Sequence, residues 1–280
     1  MKKLFEYNVR RLKYKDKEIQ TYSFGTGRKK ILSLPSFPHS GIYYILFTQF
    51  YDPTKFQVIT LDLPGWAGWS ENVFAKGEFN PDEYIKILSQ IIKEYSLDKF
   101  SLIGYSFGGA LAIKLAALYP DRITNLALVS TIVKGALLNG SDKKFRLELA
   151  KILHQEHRLR NYIFKEFTSY NTIIKDNFNE TMLYQYKSML EQASTSVLFD
   201  SLYWLFHADL TPFLKNVKRI KNILIANSKD EPKIFKKQME YMRRYFDGES
   251  SLKISGRHED FILQPKSEQI KAVLKFLLRD

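Results

Sequence analysis

The chain has 280 residues, 45% hydrophobic and 26% charged, which excludes a disordered or collagen-like polymer and admits one large domain or two small ones. It contains no cysteine, which excludes disulfides, thiolate nucleophiles and cysteine-ligated metal sites. The net charge is +13, but the basic residues are scattered among apolar positions at Lys2, Lys3, 10–17, 28–30, 215–221 and 233–244. That pattern suits solvated faces and weak association with anionic surfaces, and gives no reason to expect a nucleic-acid partner.

Met1-Lys2-Lys3 has the look of a signal peptide start, but Glu6, Asn8, Arg10 and Arg11 interrupt the apolar run that should follow, so a cytoplasmic location is expected. Residues 5–12 and 18–24 alternate apolar and polar, as half-exposed antiparallel strands do. Residues 31–51 carry no charge and reach the roughly 20 residues needed to span a bilayer. Pro35, Pro38 and Gly41 would break such a helix, and Ser33, Ser36, His39, Ser40 and Gln49 would sit in hydrocarbon. A buried strand at 30–34, a loop and a helix at 41–50 are expected instead.

Further short runs rich in Ile, Val and Leu, at 57–61, 100–104, 123–129, 222–226 and 251–254, suit buried parallel strands. Helical patterns separate them at 81–95, 107–119, 232–246 and 265–278, three of which begin with proline in the first turn. Strand–helix alternation implies a mainly parallel sheet covered on both faces. From 134 to 210 the rhythm breaks. Helical spacing runs through 143–157, 161–167, 180–192 and 196–206, with many aromatic residues, and no strand pattern appears. The chain therefore divides into a core of 1–133 with 211–280 and a helical insertion of 134–210.

Gly104-Tyr105-Ser106-Phe107-Gly108-Gly109 follows one of the apolar strands and opens a helix. A sharp strand-to-helix turn holds its serine in a strained backbone conformation, and neighbouring side chains at the glycine positions would clash. The helix N-terminus directs its free N–H groups at the same point. With Asp62-Leu63-Pro64-Gly65-Trp66-Ala67-Gly68-Trp69-Ser70 directly after another strand, the chain resembles an α/β-hydrolase with a helical cap. The fold class implied is α/β, an eight-stranded mostly parallel sheet with a helical cap insertion. The Asp62–Ser70 stretch, similar to a D-x-P-G-x-G-x-S segment common in that family, reads as a structural turn.

A serine hydroxyl is a weak nucleophile near neutral pH and needs an imidazole, itself oriented by a third group. Five histidines exist: His39, His154, His157, His207 and His258. In this fold the order is serine, acid, histidine, so the resemblance implies Ser106 as nucleophile and His258, after the last strand, as base. It implies Asp230, in Asn227-Ser228-Lys229-Asp230-Glu231-Pro232, as the acid; Asp230 could instead cap the helix that follows. Residues 130–133 hold no carboxylate. The oxyanion donors implied are the backbone N–H of Phe107 and, from the loop after Leu34, that of Phe37. Relatives commonly carry His-Gly where this chain has Pro35-Ser36, and Pro38 has no N–H to offer. His154 and His157 share a helix face, but no third metal ligand is evident, and no cofactor or metal is expected.

A serine at the elbow excludes the aspartate-nucleophile branches of the fold. The expected activity is hydrolysis of a carboxylic ester, as by an esterase, lipase or thioesterase, with a small-molecule ester or acyl substrate. The alternatives are carbon–carbon bond hydrolysis in a diketone-like acid, motivated by the positive charge, and a non-catalytic ligand-binding protein on the same fold. The aromatic residues of 134–210 either line an apolar pocket or pack the insertion's own core.

Overall fold

The computed structural model describes residues 7–50, 52–75, 78–135, 192–230, 233–246, 250–255, 261 and 266–279. Eight strands form one sheet: β1 (Tyr7–Tyr14), β2 (Lys17–Phe24), β3 (Lys29–Leu34), β4 (Phe56–Leu61), β5 (Phe100–Tyr105), β6 (Ile123–Val129), β7 (Asn222–Ser228) and β8 (Ser250–Ile254). Their order is β1-β2-β4-β3-β5-β6-β7-β8. β1 and β2 run antiparallel, and from β4 to β8 neighbouring strands are parallel.

Burial follows position in that order. β5 is buried along its whole length, as a central parallel strand must be. β1 is exposed at most positions and carries Arg10, Arg11 and Lys13, charges that discourage pairing with another sheet. At this edge four cations are paired: Arg10 with Glu94, Arg11 with Glu18, Lys15 with Glu83 and Lys17 with Asp16.

Among the described residues the α-helices are α1 (Pro81–Glu94), α2 (Phe107–Leu118), α3 (Thr195–His207), α4 (Thr211–Val217), α5 (Lys233–Arg243) and α6 (Ser267–Leu277). In α1, Asn80 caps the N-terminus by accepting from Asp82 N–H at 2.9 Å, and Pro81 occupies the first turn. Its buried stripe of Tyr84, Ile87, Leu88, Ile91 and Ile92 has the three- and four-residue spacing of one helix face. α2 is apolar on nearly every side and buried throughout its middle, because it packs on β5 and β6 while α1 and α4 cover its outer face.

Three local outcomes depart from the sequence expectation. Residues Gly41–Gln49 form a 3₁₀ helix; Ser40 caps it by accepting from Ile42 N–H. Its apolar residues have no helical periodicity, so tertiary packing of Tyr43, Tyr44 and Phe47 against the sheet decides the winding. α4, seven residues long, was not anticipated from the sequence; a segment that short shows too few turns for a periodic signal. The helix expected at 232–246 ends at Arg243, where Arg244 and Tyr245 turn back on Tyr241 and Met242. Of the helices expected in 134–210, the one at 196–206 is found as α3; those at 143–157 and 161–167, and 180–191 of the one at 180–192, lie outside the described residues. The division into core and cap therefore stays an expectation.

Where the insertion leaves and rejoins the sheet, its two ends are paired. Lys134 and Asp209 form an antiparallel bridge, Gly135 N–H donates to Ala208 O at 2.7 Å and Leu210 N–H to Val133 O at 2.8 Å. The buried Gln238 side chain accepts from Val133 and Lys134 N–H and donates to Lys134 O, so α5 holds this junction.

Candidate active site

The parallel registers bring separate chain segments to one edge of the sheet. Leu34 pairs with Gly104, Tyr105 with Val129, Val129 with Ala226, and Ser228 with Ile254. The carboxyl ends of β3, β5, β6, β7 and β8 therefore line up along one edge, where open α/β sheets bind ligands. Ser106 lies one residue past β5, Phe37 three past β3 and Asp230 two past β7. His258 belongs to the segment following β8 and lies outside the described residues.

Ser106 has φ 52° and ψ −113°, a left-handed conformation that costs a non-glycine residue about 1–3 kcal/mol. It occupies the N-cap position of α2, yet its side chain does not cap the helix. Ser40, Asn80 and Ser194, at the corresponding positions of other helices, do cap. The strained turn thus sets the hydroxyl apart from a capping role while Ser106 N–H is held by Val129 O at 2.9 Å.

The flanking glycines have a steric cause. A Cβ on Gly104 would lie 2.6 Å from Gly109 Cα and 2.7 Å from Ala112 Cβ. A Cβ on Gly108 would lie 2.5 Å from Pro35 O and 2.7 Å from Leu34 C. The first turn of α2 thus sits directly against the end of β3. That contact brings the start of α2, where Phe107 lies and backbone N–H groups have no acceptor within the helix, against Leu34 and Pro35, just before Phe37 in the chain. The loop between is short and turned, with His39 N–H bonded to Ser36 O at 2.7 Å.

Asp230 is exposed in the turn after β7, whose Lys229 N–H donates to Ile254 O at 2.7 Å. His39 is buried, edge-on to Tyr43 at 5.7 Å, and His207 is exposed on α3 with Nδ1 2.7 Å from Tyr203 O. His154 and His157 lie outside the described residues. Among the described residues no cluster of His, Asp or Glu could hold a metal ion. No described helix is long and apolar enough to cross a membrane.

Two residues behind the site were read in the sequence only as part of a turn. Asp62 is fully buried and accepts from Ser40, from Tyr22 at 2.7 Å, and from the N–H of Trp69 at 2.9 Å and of Gly41 at 3.1 Å. Burial pushes its carboxyl pKa up, and these hydrogen bonds pull against that rise. Trp66 packs edge-on against both Phe37 and Phe107. Its neighbour along the chain, Asp62, carries a sequence signal in the D-x-P-G pattern; Trp66's contacts depend on distant strands meeting and carry none.

A groove of about 410 Å³ is lined by Phe79, Asp200, Tyr203, Trp204, His207 and Ala208. Ser106, Phe107, Phe37 and Asp230 do not line it, although Trp204 packs on Phe107 with ring centroids 5.3 Å apart.

A family model described as the alpha/beta hydrolase fold matches residues 31–265, and the chain belongs to that family. Membership supports hydrolase chemistry and leaves open which bond is cleaved. The chain is 25% identical over 140 residues to a 2-hydroxy-6-oxononadienedioate/2-hydroxy-6-oxononatrienedioate hydrolase of Klebsiella pneumoniae, covering 49% of this chain and 48% of that protein. It is 35% identical over 77 residues to putative esterase/lipase 3 of Mycoplasma pneumoniae, covering 27% and 28%. A dihydrolipoyllysine-residue acetyltransferase component of Pseudomonas putida matches at 33% over 84 residues, 30% and 22%. The chain thus spans less than half the length of these curated relatives. Among solved structures, the fold is shared with MGS-M2, an α/β hydrolase from a Medee basin deep-sea metagenome library (TM-score 0.74, 15% identity, covering 97% and 98%). An esterase from Exiguobacterium antarcticum is similar to the same degree (TM-score 0.73, 16% identity, covering 94% and 96%).

Proposed function

We propose that the protein is a serine hydrolase that cleaves carboxylic esters through an acyl-serine intermediate. Ser106 is the nucleophile, His258 the general base and Asp230 the acid that orients it, with the N–H groups of Phe107 and Phe37 as oxyanion donors. His258 takes the hydroxyl proton as Ser106 Oγ attacks the acyl carbon, then returns it to the departing alcohol. Water, deprotonated by the same imidazole, releases the acid from Ser106. No cofactor or metal enters these steps. The observation that carries the reading is the strained backbone of Ser106 between β5 and α2, beside the loop of Phe37. The substrate is a small ester or acyl compound, the location is cytoplasmic, and anionic surfaces are weak partners at most. The test is pre-steady-state turnover of p-nitrophenyl butyrate. A burst of p-nitrophenol that disappears in Ser106→Ala is expected, and failure to turn over any short-chain ester refutes the reading.

The Klebsiella relative favours a second reading, hydrolysis of a carbon–carbon bond in a diketone-like acid whose carboxylate the basic surface would hold. Comparing a ring-fission dienoate with an ester panel separates the two, because preference by orders of magnitude for one substrate class removes the other. A non-catalytic binding role would leave Ser106 inert to a fluorophosphonate.

A further inference from the structure

Phe37 and Phe107, 70 residues apart in the chain, seat their rings on the same indole. Trp66 is 1% exposed and edge-on to both, with centroids 5.3 Å from Phe37 and 4.7 Å from Phe107. Its Nε1–H donates to Ser201 Oγ at 3.1 Å, and Ser201 lies fully buried on α3. The backbone around the indole is tied to the same partners. Ala67 N–H donates to Pro38 O at 3.2 Å, joining the Asp62–Ser70 turn to the loop of Phe37. Ser194 N–H donates to Gly65 O at 2.9 Å, joining that turn to the start of α3.

We propose that Trp66 is a positioning residue that holds the Phe37 and Phe107 N–H groups at their working separation, and that Ser201 fixes its orientation from α3. The placement of α3 then governs the rate of acyl transfer. This rests on the oxyanion assignment proposed above. An oxyanion donor acts only within about 2.7–3.1 Å of the developing charge. In a close-packed interior, displacing a buried aromatic ring transmits strain to the backbone that carries it. One indole packed against both rings restrains the two segments that carry these N–H groups, and the hydrogen bond to Ser201 restrains the indole's rotation.

Trp66→Phe keeps an aromatic ring and deletes the N–H; Ser201→Ala deletes the acceptor and leaves the indole intact. Steady-state kinetics on p-nitrophenyl butyrate and inhibition by a trifluoromethyl ketone, which becomes tetrahedral on Ser106, read out the effect. For both variants kcat is expected to fall by about 10- to 100-fold with KM within about threefold of wild type. Inhibition should weaken by the same factor as kcat/KM. The double variant should be no worse than the more impaired single one, since both break the same link. If Trp66→Phe fails to fold, Ser201→Ala carries the test alone. An unchanged kcat in a folded variant, or a loss confined to KM, overturns the positioning role while leaving the esterase reading intact. A wild-type protein without turnover overturns both.

Discussion

Gly108→Ala is the most informative single change, because competing effects have opposite signs. Alanine is the better helix former, and by propensity alone the substitution in α2 would stabilise by up to about 1 kcal/mol. The structure sets a steric cost against that gain. The new Cβ would stand 2.5 Å from Pro35 O and 2.7 Å from Leu34 C, both backbone atoms that cannot rotate away. Reaching ordinary contact requires α2 and the end of β3 to separate by about 1 Å, an overpacking strain of roughly 1–3 kcal/mol. The net loss of stability is then small, at about 0–2 kcal/mol, and the melting temperature should fall by no more than about 8 °C. Activity should suffer far more. The separated elements carry Phe107 and the loop of Phe37, and a displacement of that size costs about 100-fold in rate. The assay is p-nitrophenyl butyrate turnover alongside a thermal melt. A variant that melts within a few degrees of wild type and retains full kcat would refute the claim that this contact sets the oxyanion geometry.

Other expectations follow from titratable groups. Hydrogen bonds from Lys15, Lys86 and Tyr14 hold the Glu83 carboxyl down at about 2. Its stabilisation is complete above the ordinary carboxylate range and is lost as pH falls from about 5 towards 2. With both lysines largely exposed, about 1 kcal/mol is at stake. Glu83→Gln should lower urea stability at pH 7 and leave it unchanged near pH 2; an equal loss at both pH values contradicts the linkage. Asp62→Asn puts an amide NH2 where the carboxylate accepts from four donors, so a loss of about 2–4 kcal/mol in equilibrium unfolding is expected, and a neutral outcome would mean the site repacks. As the proposed base, His258 must be neutral, so kcat/KM should fall on the acid side as the imidazole charges; a profile flat into mildly acidic conditions argues against that role.

The strands were legible because burial on both faces leaves continuous Ile, Val and Leu runs, as in Asn222–Ser228 and Phe100–Tyr105. The elbow was legible because one backbone geometry demands small residues at fixed offsets from Ser106. Winding of Gly41–Gln49 was not, because its apolar residues would suit either kind of helix and packing chooses between them. The contacts of Trp66 with Phe37 and Phe107 were invisible for a different reason. They exist because β4 lies beside β3, which lies beside β5, an order that brings the turn after β4 against the openings of two other loops. Nothing local to Trp66 encodes that adjacency. The turn after β7 was placed by chain order alone, and its exposed Asp230 sits at the expected edge of the sheet.

The central claim is that Ser106 is an activated nucleophile dependent on His258. Reaction with a fluorophosphonate, followed by peptide mass mapping, tests it without knowledge of the natural substrate. A single adduct on Ser106 is expected, absent in Ser106→Ala and slowed by orders of magnitude in His258→Ala. An unlabelled wild-type protein, or labelling of Ser106 at the same rate without His258, would contradict it.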